Sequence, residues 1–192
     1  MAGRGYAVFD TGVGRCGIVW SDTGIVGVQL PEAREIDTRR RLFRHFPEAR
    51  ELRPPINTEL AIEGIAALLR GGVSDFSDVE LDMSGISPFN QRVYAFTRGI
   101  PRGETRTYGE IAVQLRVSGA ARSVAQAIAR NPFVIIVPCH RVLEATSATD
   151  KPSQNGGVIT KRRLLGIEGT RLSAAKTLLD VLLPLDPPRP RP

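Results

Sequence analysis

The 192-residue chain has two cysteines, two histidines, one tryptophan and, among 26 basic residues, only three lysines: Lys151, Lys161 and Lys176. Two cysteines exclude the disulfide framework that staples small secreted folds, and Cys16 and Cys139 stand in unlike settings. Near the N-terminus only Cys16 and His45 offer soft donors, too few for a four-ligand zinc site, so no metal and no cofactor are expected. No apolar run reaches the ~20 residues of a membrane span, and Met1 to Tyr6 lacks a signal-peptide core. A reducing, cytoplasmic compartment without membrane attachment is therefore expected.

A hydrophobic share of 42% with 24% charged residues is ordinary for a globular chain, long enough for one large domain or two small ones. The formal charge of +6 rests almost wholly on arginine, whose planar fork suits phosphate. Charge of this size admits nucleic acid as a partner without selecting it.

The first third alternates as strands over 6–9, 16–20 and 25–30, and Ser21-Asp22-Thr23-Gly24 is a hairpin turn. Helical spacing over 35–46 predicts a helix. A second should run from an Asn57 cap to Leu69 and stop at Gly71-Gly72. Residues 79–83 read as one more short strand. Phe9 and Trp20 read as core.

The boundary is expected at 84–88, where Ser87 caps a helix with Pro88 at its first position, running to Arg98. Thr107-Tyr108-Gly109-Glu110 has capping-box spacing ahead of a short helix. A turn at 117–119 and a second helix over 120–130 complete a helix-turn-helix pattern. The second helix is rich in small residues with Arg122 near its start, suited to close approach to a groove, or simply to packing. Asn131-Pro132 ends it. Residues 133–137 then read as a buried strand delivering Val137-Pro138-Cys139-His140-Arg141. A thiol attacks as thiolate, and a basic neighbour makes that form available, so Cys139 is a candidate nucleophile.

Four motifs in order resemble the O6-alkylguanine-DNA alkyltransferases, the methylated-DNA–protein-cysteine methyltransferase family. They are Ile100-Pro-Arg-Gly-Glu-Thr-Arg-Thr-Tyr-Gly-Glu-Ile-Ala112; Ala121-Arg-Ser-Val124 through Asn131-Pro132; Ile135-Ile-Val-Pro-Cys-His-Arg-Val142; and Gly156-Gly157 with Lys161 and Leu164-Leu-Gly-Ile-Glu-Gly169. The resemblance covers roughly 87–169. It implies an α+β protein: a ribonuclease-H-like N-terminal α/β domain (1–84), a winged helix-turn-helix domain (85–172), and a C-terminal extension (173–192) with a Pro-rich end.

The resemblance further implies direct DNA repair, with duplex DNA containing O6-alkylguanine as partner and a monomer as the working unit. Cys139 would accept the alkyl group irreversibly, once per molecule. His140, through a water, would take the thiol proton, with Glu168 orienting the imidazole, and Tyr108 would neutralise the guanine leaving group. The nucleotide must be flipped out of the stack. Arg122 would fill the space it leaves, and Ala121, Ser123, Gln126 and Asn131 complete the DNA-facing set. Ile128, Val142, Ser153, Asn155 and Gly156 would line the substrate pocket. Two features depart from the family pattern: Ala125-Gln126 replaces a Gly pair, and 143–155 lacks an aromatic. The second of these keeps an alternative open, a sensor of alkylated DNA with little transfer. A cysteine hydrolase using Cys139 and His140 is a third, weaker reading.

Overall fold

The computed structural model describes residues 4–144 and 161–170. It is a mixed α+β protein. Strands β1 (Gly5–Thr11), β2 (Gly14–Ser21) and β3 (Gly24–Gln29) form an antiparallel meander, with Ser21 opposite Gly24 across the expected hairpin. A two-residue strand β4 (Arg50–Glu51) adds in parallel to β1, giving the order β3-β2-β1-β4. Two helices accompany this sheet, α1 (Glu35–His45) and α2 (Ile56–Leu68). Trp20 is core as expected, whereas Phe9 is half-buried and packs against its edge.

Two sequence expectations for this half are corrected. Helix α2 starts behind Pro55, one residue before Asn57, so Asn57 does not cap it. Its side-chain amide instead bonds both backbone groups of Glu80, accepting from the amide at 2.9 Å and donating to the carbonyl at 3.2 Å. Residues 79–83 form no strand. One bridge, Leu81 to Ile25, remains of it. Asp82 then turns the chain away by accepting from the Ser84 amide at 2.9 Å and the Ser21 hydroxyl at 2.6 Å. Short polar side chains that bond neighbouring backbone compete in this way with sheet ladders.

Helix α3 (Pro88–Arg98) carries the expected cap, the Asn90 amide donating to the Ser87 hydroxyl at 3.3 Å. After β5 (Arg106–Thr107), helix α4 (Tyr108–Gln114) opens with a complete capping box between Thr107 and Glu110. Its C-terminal turn closes through Val117 N–H to Ala112 at 2.9 Å and Arg116 N–H to Val113 at 2.9 Å, with Arg116 left-handed at φ 58°. Gly119 at φ 79° completes the reversal into α5 (Ala121–Ala129). A 3₁₀ turn (Cys139–Arg141), the short β6 (Val142–Leu143, parallel to β5) and α6 (Lys161–Ile167) follow.

One apolar cluster crosses the 84–88 segment. It joins Ile18, Ile25, Ile65 and Phe76 to Val93, Tyr94, Ile111, Ile128 and Phe133. The exposed edge of β3 is also used, Val28 N–H donating to the Pro132 carbonyl at 2.8 Å. The sheet thus buttresses the segment that leads into Cys139.

Candidate active site

The run 133–137 is not a strand. Asn131, at 2% exposure, accepts from the Phe133 amide at 2.9 Å and donates from Nδ2 to the Val137 carbonyl at 3.0 Å. The segment is folded onto itself: Val137 N–H reaches Phe133 O at 2.8 Å, and Ile135 sits left-handed at φ 76°. Pro138 (φ −76°, ψ 68°) then makes an inverse γ-turn, closed by Cys139 N–H to Val137 O at 2.7 Å. A buried apolar run bounded by proline reads alike as strand or turn, because all its side chains are inside either way. The outcome is that Cys139 and His140 stand on a 3₁₀ turn rather than at a strand end.

Both are buried, Cys139 at 2% and His140 at 0% exposure. The His140 ring holds Glu168 at 2.9 Å from Nε2 to Oε1. Arg141 closes the same carboxylate as a fork, Nε to Oε2 at 3.0 Å and Nη2 to Oε1 at 2.6 Å, and anchors itself by donating to the Ile100 carbonyl at 2.6 Å. Burial pushes the Glu168 carboxyl up, but the bonds from His140 and Arg141 outweigh it and hold the group down at about 2. An ionised Glu168 can only accept a hydrogen bond from the His140 ring, so Nε2 carries the hydrogen and Nδ1 keeps its lone pair. Among the described residues Nδ1 has no hydrogen-bond partner.

Burial also sets the two reactive groups. It pulls the His140 imidazole below its ordinary value, with Glu168 acting against it and Arg141 and Lys161 with it. It pushes the Cys139 thiol up, against the Lys161 ammonium and a hydrogen bond from Asn131. At neutral pH both groups rest uncharged.

Tyr108, the first residue of α4, is partly exposed. Lys161 Nζ donates to its hydroxyl at 3.2 Å and to the Val142 carbonyl at 3.0 Å, lying 5.6 Å from the phenol ring centroid. The β5–β6 pairing, Thr107 opposite Leu143, holds this corner together. The arrangement can lower the cost of negative charge on a group bound beside the phenol.

Among the other expected residues, Arg122, Ser123 and Gln126 are exposed on α5 and Ala121 is half-buried beside them. Val124, Ala127 and Ile128 turn inward, and Tyr94 donates to the Ala127 carbonyl at 3.0 Å, fastening the helix to α3. Ile128 and Val142, expected to line a pocket, are fully buried core at 1% and 0% exposure. Ser153, Asn155 and Gly156 lie outside the described residues. Reading the sequence misses the partnerships of Arg141 and Lys161. A signal for the second exists: Lys161 is a rare lysine in a chain that otherwise uses arginine.

Residues 88–170 match the family model described as 6-O-methylguanine DNA methyltransferase, DNA binding domain. A methylated-DNA–protein-cysteine methyltransferase of Mycobacterium tuberculosis is 46% identical over 120 residues, covering 62% of this chain and 70% of that protein. The protein of the same name from Methanothermobacter thermautotrophicus is 34% identical over 156 residues, covering 81% and 80%. The crystal structure of Mycobacterium tuberculosis OGT in complex with DNA superposes with a TM-score of 0.63 at 32% identity, covering 85% of this chain and 92% of that one.

Proposed function

Because the chain belongs to the methylated-DNA–protein-cysteine methyltransferase family, we propose that it repairs O6-alkylguanine in duplex DNA by moving the alkyl group onto Cys139. The observation that carries this reading is the buried Cys139 thiol next to a His140–Glu168–Arg141 relay, with Tyr108 and Lys161 across the site. His140 Nδ1 takes the thiol proton through a water. The sulfur attacks the alkyl carbon, the S–C bond forms, the C–O6 bond breaks, and the electron pair leaves on guanine. Tyr108 donates its phenolic proton to that anion, and Lys161 eases the charge left on the phenol oxygen. A thioether is a poor leaving group, so each molecule reacts once.

On this reading Arg122, Ala121, Ser123 and Gln126 form the DNA face, with Arg122 filling the stack after base flipping. The exposure of Arg122, Ser123 and Gln126 on one helix, with Ala121 half-buried beside them, supports the assignment. Asn131 ties that helix to the nucleophile turn. We read the meander sheet with its helices as a ribonuclease-H-like domain (1–84) and α3–α5 with β5–β6 as a winged helix-turn-helix (85–172), followed by the 173–192 extension. The protein acts as a monomer in the cytoplasm, where the thiol stays reduced.

The test is intact and peptide mass after incubation with a duplex containing one O6-methylguanine. One methyl on the Cys139 peptide, absent from Cys139→Ala although that variant still binds the duplex, is expected. Transfer by Cys139→Ala would overturn the assignment. An unmodified wild-type protein that still shifts the duplex would make it a sensor.

A further inference from the structure

Arg102, in the loop after α3, touches neither Cys139 nor His140 in any hydrogen bond, yet it gathers four backbone carbonyls from two distant segments. Its Nε donates to Glu168 O at 3.0 Å, and Nη2 donates to Gly71 O at 3.1 Å and Ile167 O at 3.4 Å. Nη1 closes the set on Gly72 O. The Ile167 and Glu168 carbonyls stand at the C-terminal end of α6, and those of Gly71 and Gly72 in the turn that follows α2. A single guanidinium therefore joins the turn after α2 to the end of α6. Lysine, with one compact charge, cannot span both pairs in this planar geometry.

We propose that Arg102 is a positioning residue for the alkyl transfer, holding the Glu168 backbone so that its carboxylate meets the His140 ring. The proposal rests on the functional reading above. Glu168 lies just past the last residue of a seven-residue helix, and its own amide reaches Leu164 O at 3.1 Å. The side-chain bonds from His140 and Arg141 fix the carboxylate, while Arg102 fixes the backbone that carries it. It does so against α2, which packs on the sheet, so the first half of the chain takes part in aligning the relay. The close approach at this join is backed by the α2 terminus itself, where Gly71 adopts φ 88° and Gly72 N–H returns to Ala67 O at 2.9 Å.

The test compares wild type, Arg102→Met and Arg102→Lys in two readouts. The first is the single-turnover rate of methyl transfer under saturating duplex. The second is the imidazole ¹⁵N shift of His140 at neutral pH, with His45, the other histidine, as internal reference for an intact fold. The charged groups facing the His140 ring are Glu168, Arg141 and Lys161, and only the first should move. Misalignment of a relay group costs up to about 100-fold in rate, and Arg102→Met is expected to lose about tenfold with duplex affinity unchanged and His140 shifted. Arg102→Lys should fall between, and it carries the test should the methionine variant fail to fold. A lowered melting temperature with wild-type rate and an unmoved His140 signal would reduce Arg102 to a structural clamp and overturn the proposal. If wild type itself transfers nothing, the functional reading falls, and the His140 shift alone still decides for or against Arg102.

Discussion

Replacing Glu168 by Gln keeps the shape of the relay and removes its charge, and the structure sets the size of the effect. The side chain is 0% exposed and its carboxyl held at about 2 against an ordinary 4.5. That difference amounts to about 3 kcal/mol of preference for the charged form. Breaking a buried ion pair on one side costs about 3–5 kcal/mol, because the partner is left uncompensated. Arg141 retains its bond to Ile100 O, which favours the lower end. The folded pKa is depressed, so the stabilisation is fully present above pH ~4.5 and is lost as pH falls through ~2. Urea unfolding of wild type and E168Q from pH 7 down to pH ~2 measures it. At neutral pH the variant should be about 3 kcal/mol less stable, and the gap should close as the wild-type carboxylate takes up its proton. A gap that stays constant across that range would refute the charge argument, since only an ionising group can produce its pH dependence.

Asn131→Ala removes the bonds to Phe133 N–H and Val137 O and leaves both groups buried, so unfolding free energy should fall by about 2–3 kcal/mol, read by denaturant titration. Lys161→Met withdraws the cation that holds the Cys139 thiol down; alkylation by iodoacetamide, followed by mass, should need a higher pH to reach half its maximal rate. Arg122→Ala should slow transfer from duplex DNA about 5- to 150-fold, by the ~1–3 kcal/mol typical of a lost specific contact. Reaction with the free O6-alkylguanine base should be unaffected, because that substrate needs no flipping; equal slowing of both would place Arg122 outside the DNA face.

Features governed by neighbours in sequence were legible. The Ser87 cap, the Thr107–Glu110 capping box and the hairpin at 21–24 each depend on residues within four positions, and each stands where its local chemistry puts it. The nucleophile with His140 and Glu168 was legible through the order of four motifs rather than through any periodicity, whereas Arg141's part in the relay was not. What stayed hidden depends on distant backbone. β4 is two charged residues whose strand character comes only from β1 beside them. The segment 133–137 carries β-branched side chains that would suit a ladder, but Asn131 and Pro138 take its backbone bonds into turns. Residues 79–83 keep only the bridge of Leu81 to Ile25, because the Asn57 amide holds Glu80 on one side and Asp82 turns the chain on the other. Arg102 was invisible for a related reason: its four acceptors are main-chain carbonyls, which every residue possesses and no side-chain pattern marks.

The resting chemistry of the site follows from burial more than from charge. A Cys–His pair poised as thiolate and imidazolium would require two ions inside a core where Val134, Ile136, Val137 and Val142 stand at 0–1% exposure. Burial drives both members toward neutrality, the thiol upward and the imidazole downward. For a reagent consumed by its own reaction this state has a physical advantage, since a neutral buried thiol is inert toward adventitious electrophiles and oxidants. On the proposed mechanism the relay lets charge appear only when it can be used. Glu168, ionised at all ordinary pH, stands ready to stabilise an imidazolium, and Lys161 stands ready for a phenolate. On that mechanism proton transfer and bond breaking are coupled, because burial keeps both the thiolate and the imidazolium unfavourable until a guanine is present to take up the displaced electron pair.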